Sequence, residues 1–280
     1  MTAILETLPQ QLTHPGITAE QVADELLDIV ADSIRNQPRT LQKRIGPSEI
    51  DTPCPRRLAY KLLDQPERER MVAWKATVGT ALHSHLADVF DQYNLIHAAE
   101  TGWQERFYVE TRVSVGEIDG QEVTGSADLF DRVTLTNWDW KLVGPTQLKK
   151  YKKNGPGRQY RGQAHLYGRG WQRAGLGCRH VGIVFFARNG EFADTHVWTE
   201  PYDEQVAIDA LQRLEGIAIA TRMVGPQILD QLDAVDDYCN YCPYFHPGSV
   251  DLARGCPGAA DMTGHTSRPA LTLNPSPQPN

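Results

Sequence analysis

Apolar and polar positions follow a helical period in the first hundred residues and alternate in the middle of the chain. Thr18 opens an amphipathic segment and Gln21 follows three residues later, a pattern typical of a capped helix. Helical periodicity returns at 54–64 and at 74–94. From residue 106 apolar and polar residues alternate, which predicts strands because successive strand side chains point to opposite faces.

The second half of the chain combines strands and helices. The predicted strands cover 106–115, 122–133, 134–143, 179–188 and 191–199, and the predicted later helices cover 159–175 and 203–223. Asp119-Gly120 is a hairpin turn signal between the first two strands. The stretch 144–162 is basic and rich in glycine, which predicts a loop. This order predicts a mixed α/β (α+β) fold in which helices flank a mixed sheet.

Composition shifts divide the 280 residues into five expected regions. They are a flexible leader (1–17), an N-terminal helical region carrying Cys54 (18–72), a core (73–225), a C-terminal cysteine region (226–258) and a disordered tail (259–280). The start lacks a basic segment followed by an apolar one, and the longest apolar run, 181–187, is too short to cross a bilayer. We therefore expect a cytoplasmic protein without a membrane span.

An acid and a base stand close together on the third predicted strand. Asp139 and Lys141 are two residues apart, so a strand would project both from one face. Asp128 lies on the preceding strand, where its carboxylate can approach that of Asp139. Two carboxylates with open water positions suit Mg²⁺ or Mn²⁺. The alternative is an ion pair on an exposed face of the sheet, which contributes about 0.5 kcal/mol.

Four short motifs occur in a fixed order around this strand. They are Gly79-Thr80-Ala81-Leu82-His83, Gly125-Ser126-Ala127-Asp128, Asp139-Trp140-Lys141 and Gln163-Ala164-His165-Leu166-Tyr167. Their order and predicted element types resemble the PD-(D/E)XK nuclease superfamily in its RecB-like branch. The resemblance covers about 75–170 and implies the restriction-endonuclease-like core of that superfamily.

The resemblance also implies roles for individual residues. It makes Asp128, Asp139, Lys141, Gln163 and Tyr167 the catalytic residues, and His83, Asp128 and Asp139 the ligands of a Mg²⁺ or Mn²⁺ ion. His85 is a nearby rival of His83, but residues two apart do not share a helical face. Glu110, on the first strand, is a further carboxylate that can reach the same site.

Four of the five cysteines form a second pattern. The pattern comprises Cys54, the C-x-x-C pair Cys239 and Cys242, and Cys256. It resembles iron–sulphur nucleases, the CRISPR-associated Cas-four exonucleases and the AddB-type recombination nucleases. That resemblance implies a [4Fe–4S] cluster that staples the N- and C-terminal regions together.

Two alternatives remain open at the cysteine site. The same thiolates also suit Zn²⁺. The long insertion before Cys256 offers His246 as a substitute ligand. Cys178 has no partner pattern and is expected to be a buried, small apolar residue.

The net charge of -7 gives no overall sign of nucleic-acid binding, but one segment is locally basic. That segment contains Lys149, Lys150, Lys152, Lys153, Arg158 and Arg161. Tyr151 and Tyr160 stand among these cations, and aromatic rings can stack on unpaired bases. We expect this segment to bind DNA beside the catalytic residues.

These observations predict a metal-dependent DNA nuclease, an exonuclease acting on single-stranded or frayed DNA ends. The resemblance further implies protein partners in recombination or in CRISPR adaptation. The alternative function is a catalytically silent module of the same fold, which binds DNA ends or recruits a partner around a structural metal centre.

Overall fold

The computed structural model describes residues 18–36, 44–67, 72–102, 105–235 and 239–259. The predicted leader 1–17, and the predicted tail from residue 260 onward, lie outside these ranges. The helices are α1 (Ala19–Arg35), α2 (Pro47–Ile50), α3 (Pro55–Leu62), α4 (Trp74–Thr101), α5 (Pro145–Asn154), α6 (Gly157–Arg173), α7 (Glu204–Val224) and α8 (Ile228–Gln231). The strands are β1 (Phe107–Ile118), β2 (Gln121–Asp131), β3 (Thr136–Val143), β4 (His180–Ala187) and β5 (His196–Pro201).

The strands form one mixed sheet in the order β1-β2-β3-β4-β5. Strands β3 and β4 are parallel, and the other neighbouring pairs are antiparallel. Helices α5 and α6 lie between β3 and β4 in the sequence, as a parallel connection requires. The predicted mixed sheet is confirmed, with strand bounds that differ by a few residues from those expected.

Helices cover both faces of the sheet. On one face α4 packs Phe90 against Phe107 and Trp140. On the other face α6 contributes Trp171, which stacks on Phe130 and donates from its indole Nε1 to Asn137 Oδ1 at 2.9 Å. The main core lies on the α6 side, where α7 also packs. Side chains of β3 therefore reach α4 and α6 alternately, as the period of two predicts.

The prediction of a loop over 144–162 is wrong, because most of this segment forms α5 and the start of α6. Pro145 occupies the first turn of α5, where its missing N–H costs no hydrogen bond, and Gly155 ends the helix with a φ of +74°. Leu148 and Tyr151 supply its buried face. The sequence therefore contained the signals of a helix: the proline at its start, the glycine at its end and the apolar residues at helical spacing.

Helix α1 has the predicted capping box between Thr18 and Gln21. Among the large apolar residues of its stripe, Ile34 is buried, whereas Val22, Leu26 and Ile29 are exposed. No helix in the described ranges combines the length and apolar character that a bilayer crossing needs.

Candidate active site

The site begins where β2 and β3 part. Their ladder contains the pairs Asp131–Thr136, Phe130–Asn137 and Leu129–Trp138, and it ends there. The next residues along the two strands are Asp128 and Asp139, the acids that the motifs single out. Asp128 Oδ2 accepts a hydrogen bond of 2.8 Å from the backbone N–H of Trp140, which satisfies a donor that the parted ladder leaves open. This bond fixes the orientation of the carboxylate.

A histidine and two carboxylates converge at this opening. His83 Nδ1 of α4 lies 3.3 Å from Asp128 Oδ1 and 3.9 Å from Glu110 Oε1 of β1. One ligand atom from each of the three residues lies within 4.8 Å of the other two, close enough to surround a single ion. No other group of three His, Cys, Asp or Glu residues in the described ranges is this tight.

Glu110 reaches the group through an irregular strand conformation. Its φ is +43°, which a non-glycine residue rarely adopts and which costs about 1–3 kcal/mol. Its neighbours Val109 and Thr111 pair regularly with β2. Glu110 Oε2 accepts a hydrogen bond of 2.7 Å from Ser126 Oγ, so its side chain is held on the β2 side. Strain of this kind is concentrated at functional sites.

Asp139 and Lys141 form an ion pair on the face of β3 that α6 covers. Asp139 is 1% exposed, and its Oδ1 accepts a hydrogen bond of 2.9 Å from Gln163 Nε2 of α6. The Lys141 ammonium also lies over the ring of Tyr160, 5.0 Å from its centroid. The expectation that Asp139 and Lys141 share a face is therefore confirmed. Gln163, on helix α6, holds the Asp139 carboxylate from the facing element.

Burial and neighbouring charges shift the pKa values of Asp139, Lys141 and His83. Burial, helped by the charge of Asp128 and opposed by Lys141, raises the pKa of Asp139 to about 6. Burial works against the Lys141 ammonium, but Asp139 and Asp128 outweigh it and raise the pKa of Lys141. Burial likewise opposes protonation of His83, yet the hydrogen bond and charge of Asp128 raise its pKa. The site therefore favours cations and holds its protons tightly, which is typical of a catalytic cleft.

These residues lie in an open cleft of about 1250 Å³. His83, Glu110, Asp128, Lys141, Gln163 and Tyr167 all line it. Asp139 lies beneath this surface. Gly125 permits the approach of Tyr167, because a Cβ at residue 125 would lie 2.9 Å from Tyr167 Oη and 2.8 Å from Pro47 Cγ.

The structure separates the two rival histidines of α4. His83 points into the cleft, whereas His85 is exposed and does not line it. Glu110 was only a secondary candidate in the sequence, because nothing in the alternation of a strand reveals a positive φ. The register between β1 and β2 brings it level with Asp128, and that register is a tertiary property.

The predicted DNA-binding residues fall into two groups. Lys149, Lys150, Lys152 and Lys153 lie on the exposed face of α5, outside the lining of the cleft. Arg158 instead bonds to the buried Asp51 at 2.7 Å, and Arg161 bonds to Glu200 at 2.6 Å. Tyr151 is buried and stacks on Phe185, so the expectation that it is a stacking platform is wrong.

The predicted cysteine ligands surround one small cavity of their own. Cys54, Cys239, Cys242 and Cys256 all line it. Cys54 immediately precedes α3, and Gly258 N–H approaches Cys256 Sγ at 3.4 Å. His246 is exposed and does not line the cavity, so Cys256 occupies the position for which His246 was the substitute.

The fifth cysteine has the expected structural position. Cys178 is buried in the main core, and burial raises the pKa of its thiol to about 11. Such a thiol stays protonated at neutral pH and behaves as an apolar side chain.

No protein-family model and no curated protein matches the chain. Similar solved structures include SSO0001, with 16% identity, a TM-score of 0.47 and coverage of 85% of this chain and 97% of that chain. LHK-Exo in complex with dAMP has 14% identity and a TM-score of 0.43, over 65% of this chain and 89% of that chain. LHK-Exo is an alkaline exonuclease from Laribacter hongkongensis.

A third similar structure is a phage related exonuclease from Haemophilus somnus 129PT. It has 12% identity and a TM-score of 0.31, over 64% of this chain and 96% of that chain. At TM-scores below 0.5 these likenesses assign neither a family nor an activity to the chain. The functional conclusion therefore rests on the site itself.

Proposed function

We propose that the protein is a metal-dependent nuclease that hydrolyses phosphodiester bonds of DNA, as an exonuclease on single-stranded or frayed ends. The observation that carries the proposal is the convergence of His83, Glu110 and Asp128 in the cleft, beside the buried Asp139–Lys141 pair. A pure binding module has no need of strained and buried charges at one point of its sheet. The motif resemblance to PD-(D/E)XK nucleases supports the same reaction.

The donor set fits a hard, hydrated divalent cation. His83, Glu110 and Asp128 would hold Mg²⁺ or Mn²⁺, and Asp139 lies beneath them as a further carboxylate. Carboxylate oxygens with open water positions suit both ions. When bound, the ion supplies Lewis acidity toward the phosphate and lowers the pKa of a water ligand.

Lys141 has an electrostatic role in this proposal. The charges of Asp139 and Asp128 raise its pKa, which favours the charged ammonium. It lines the cleft and can neutralise charge that builds on the phosphate oxygens during hydrolysis. Gln163 holds Asp139 by a hydrogen bond and thereby fixes the position of the ammonium.

The DNA path in this proposal follows the cleft. Besides Lys141, the cations Arg44, Lys75, Arg112 and Arg188 line it, and phosphates are attracted to these charges. We still predict that the exposed lysines of α5 lie beside this path and contact the DNA. An acidic protein thus concentrates its affinity for DNA in one groove.

The cysteine cavity is proposed to hold a [4Fe–4S] cluster. What supports the cluster is the resemblance of the four-cysteine pattern to iron–sulphur nucleases, in which four thiolates hold a [4Fe–4S] cluster. The alternative is Zn²⁺, which the same four thiolates also suit. Anaerobically purified protein should then be brown and contain iron and sulfide, whereas colourless protein with one zinc would contradict the cluster.

The test of the nuclease proposal is degradation of end-labelled linear single-stranded DNA with Mg²⁺ or Mn²⁺. Wild-type protein should cut the DNA, and EDTA should stop the reaction. Lys141→Ala should lower the rate by about 10³-fold while DNA binding persists, because it removes charge stabilisation from the transition state. Binding without cleavage by the wild-type protein, with its metal centre intact, would instead support the silent DNA-binding module.

A further inference from the structure

Helix α4 presents a line of residues along the cleft. Lys75, Gly79 and His83 are spaced four residues apart, so they lie on one face of the helix, and all three line the cleft. At 1.5 Å per residue, Lys75 lies about 12 Å along the helix from the metal-binding His83. The line therefore leads from the candidate metal site along the cleft to Lys75.

Gly79 leaves the middle of this line bare. A Cβ at this residue would meet nothing within 4 Å, so packing inside the chain does not require a glycine. Its φ is not positive either, and glycine weakens the interior of a helix relative to alanine. A bare backbone facing a cleft instead allows the close approach of a ligand.

An exposed aromatic residue stands at the far end of the line. Tyr241 lies in the short turn Cys239–Tyr241 and is 70% exposed. The Lys75 ammonium is 5.4 Å from the centroid of the Tyr241 ring and 3.5 Å from its hydroxyl. The chain thus joins its cysteine turn to the start of α4 through this lysine and this ring, and it leaves the rest of the ring open to solvent.

We propose that Lys75 and Tyr241 bind the DNA single strand a few nucleotides away from the bond that is cut. The strand leaves the metal site over Gly79, the Lys75 ammonium binds a phosphate, and the Tyr241 ring stacks on an unpaired base. At about 3.4 Å per stacked nucleotide, 12 Å corresponds to three to four nucleotides. This inference rests on the proposed nuclease function and deepens it.

The assignment has a consequence for substrate choice. Stacking requires a base whose face is free, and it tolerates every base because each has a π-face. Tyr241 therefore selects single-stranded over paired DNA without selecting a sequence. The turn between Cys239 and Cys242 then contributes directly to substrate binding, in addition to closing the cysteine cavity.

The test measures binding of a fluorescent oligothymidylate in the Lys141→Ala background, where the DNA stays intact. Tyr241→Ala should weaken binding of the single strand by about 5- to 150-fold, the range of one base stacked on an aromatic ring. Tyr241→Phe keeps the ring and should bind as the parent does. A blunt duplex offers no free base, so its affinity should not change.

A scan with one abasic nucleotide distinguishes stacking from structural damage. In the Lys141→Ala parent, one abasic position should weaken binding more than the others, and Tyr241→Ala should remove this dependence on position. Gly79→Leu gives an independent readout, since it should weaken single-strand binding at least about tenfold by blocking the path, without lowering the melting temperature.

Three outcomes would overturn the inference. One is unchanged single-strand affinity in Tyr241→Ala, and another is an equal loss for single strand and duplex. The third is a Tyr241→Ala variant whose binding still depends on the position of the abasic nucleotide. If the wild-type chain cuts DNA, any of these results removes the role of Tyr241 alone, whereas a wild-type chain that neither binds nor cuts DNA removes the nuclease function as well.

Discussion

Asp131 and Asp128 lie at the two ends of the β2–β3 ladder and have opposite environments. At the paired end, where the ladder is intact, Asp131 is bound by Arg106 at 3.0 and 3.1 Å. It also accepts hydrogen bonds from Thr134 Oγ1 and from the Val133 N–H. At the open end, beyond the last ladder pair, Asp128 shares its carboxylate between one backbone donor and His83.

The two ends also differ in proton affinity. Burial opposes ionisation of Asp131, but the hydrogen bonds from Arg106, Thr134 and Val133 outweigh it and lower its pKa. At the open end burial dominates and raises the pKa of Asp139 to about 6. The contrast teaches that a buried carboxylate whose pKa its hydrogen bonds lower is structural, whereas one whose pKa stays raised despite its partners is a candidate for function.

The largest expected effect is on the affinity of the open end for a divalent metal ion. His83→Ala should weaken Mn²⁺ binding by at least about 10- to 100-fold, because it removes a ligand, and His85→Ala should leave the affinity unchanged. Titration with Mn²⁺, followed by calorimetry or by electron paramagnetic resonance, measures both variants. Equal losses in the two variants would show that α4 does not place His83 at the ion.

The cysteine site should respond through stability rather than chemistry. Its cysteines come from segments far apart in the chain, so the proposed metal centre should contribute to folding. Cys239→Ser should lower the melting temperature by about 5–10 °C, which corresponds to a few kcal/mol for a chain of this size. Thermal unfolding under anaerobic conditions measures the shift. A melting temperature unchanged from the wild type would argue against a stabilising centre.

The smallest effect tests the paired end through pH. The lowered pKa of Asp131 means that its stabilisation is present above about pH 4 and is lost as pH falls through the folded-state pKa. Asp131→Asn should therefore lower the free energy of unfolding by about 1–3 kcal/mol at pH 7, and the difference from wild type should shrink below pH 4. Urea unfolding measures both values. The exposed Asp233→Asn is the control, and a difference independent of pH would place the loss outside the ion pair.

Regular patterns in the sequence predicted the sheet and much of the site. The positions of His83, Asp128, Asp139 and Lys141 followed from ordered motifs on elements of the correct type. Helix α5 was missed because its lysines and flanking glycines are also typical of loops, although Pro145 marks its start. The parting of β2 from β3 and the strained Glu110 depend on tertiary register, which no local pattern records.

The most direct test compares Asp128→Asn with Asp131→Asn in one cleavage assay on end-labelled single-stranded DNA with Mn²⁺. Both variants remove one carboxylate charge from the same strand, three residues apart. Asp128→Asn should fold but cut at least about 10³-fold more slowly, since its amide cannot replace a carboxylate ligand, whereas Asp131→Asn should cut at close to the wild-type rate at 25 °C. Equal activity in the two folded variants would contradict the assignment of catalysis to the open end of β2 and β3.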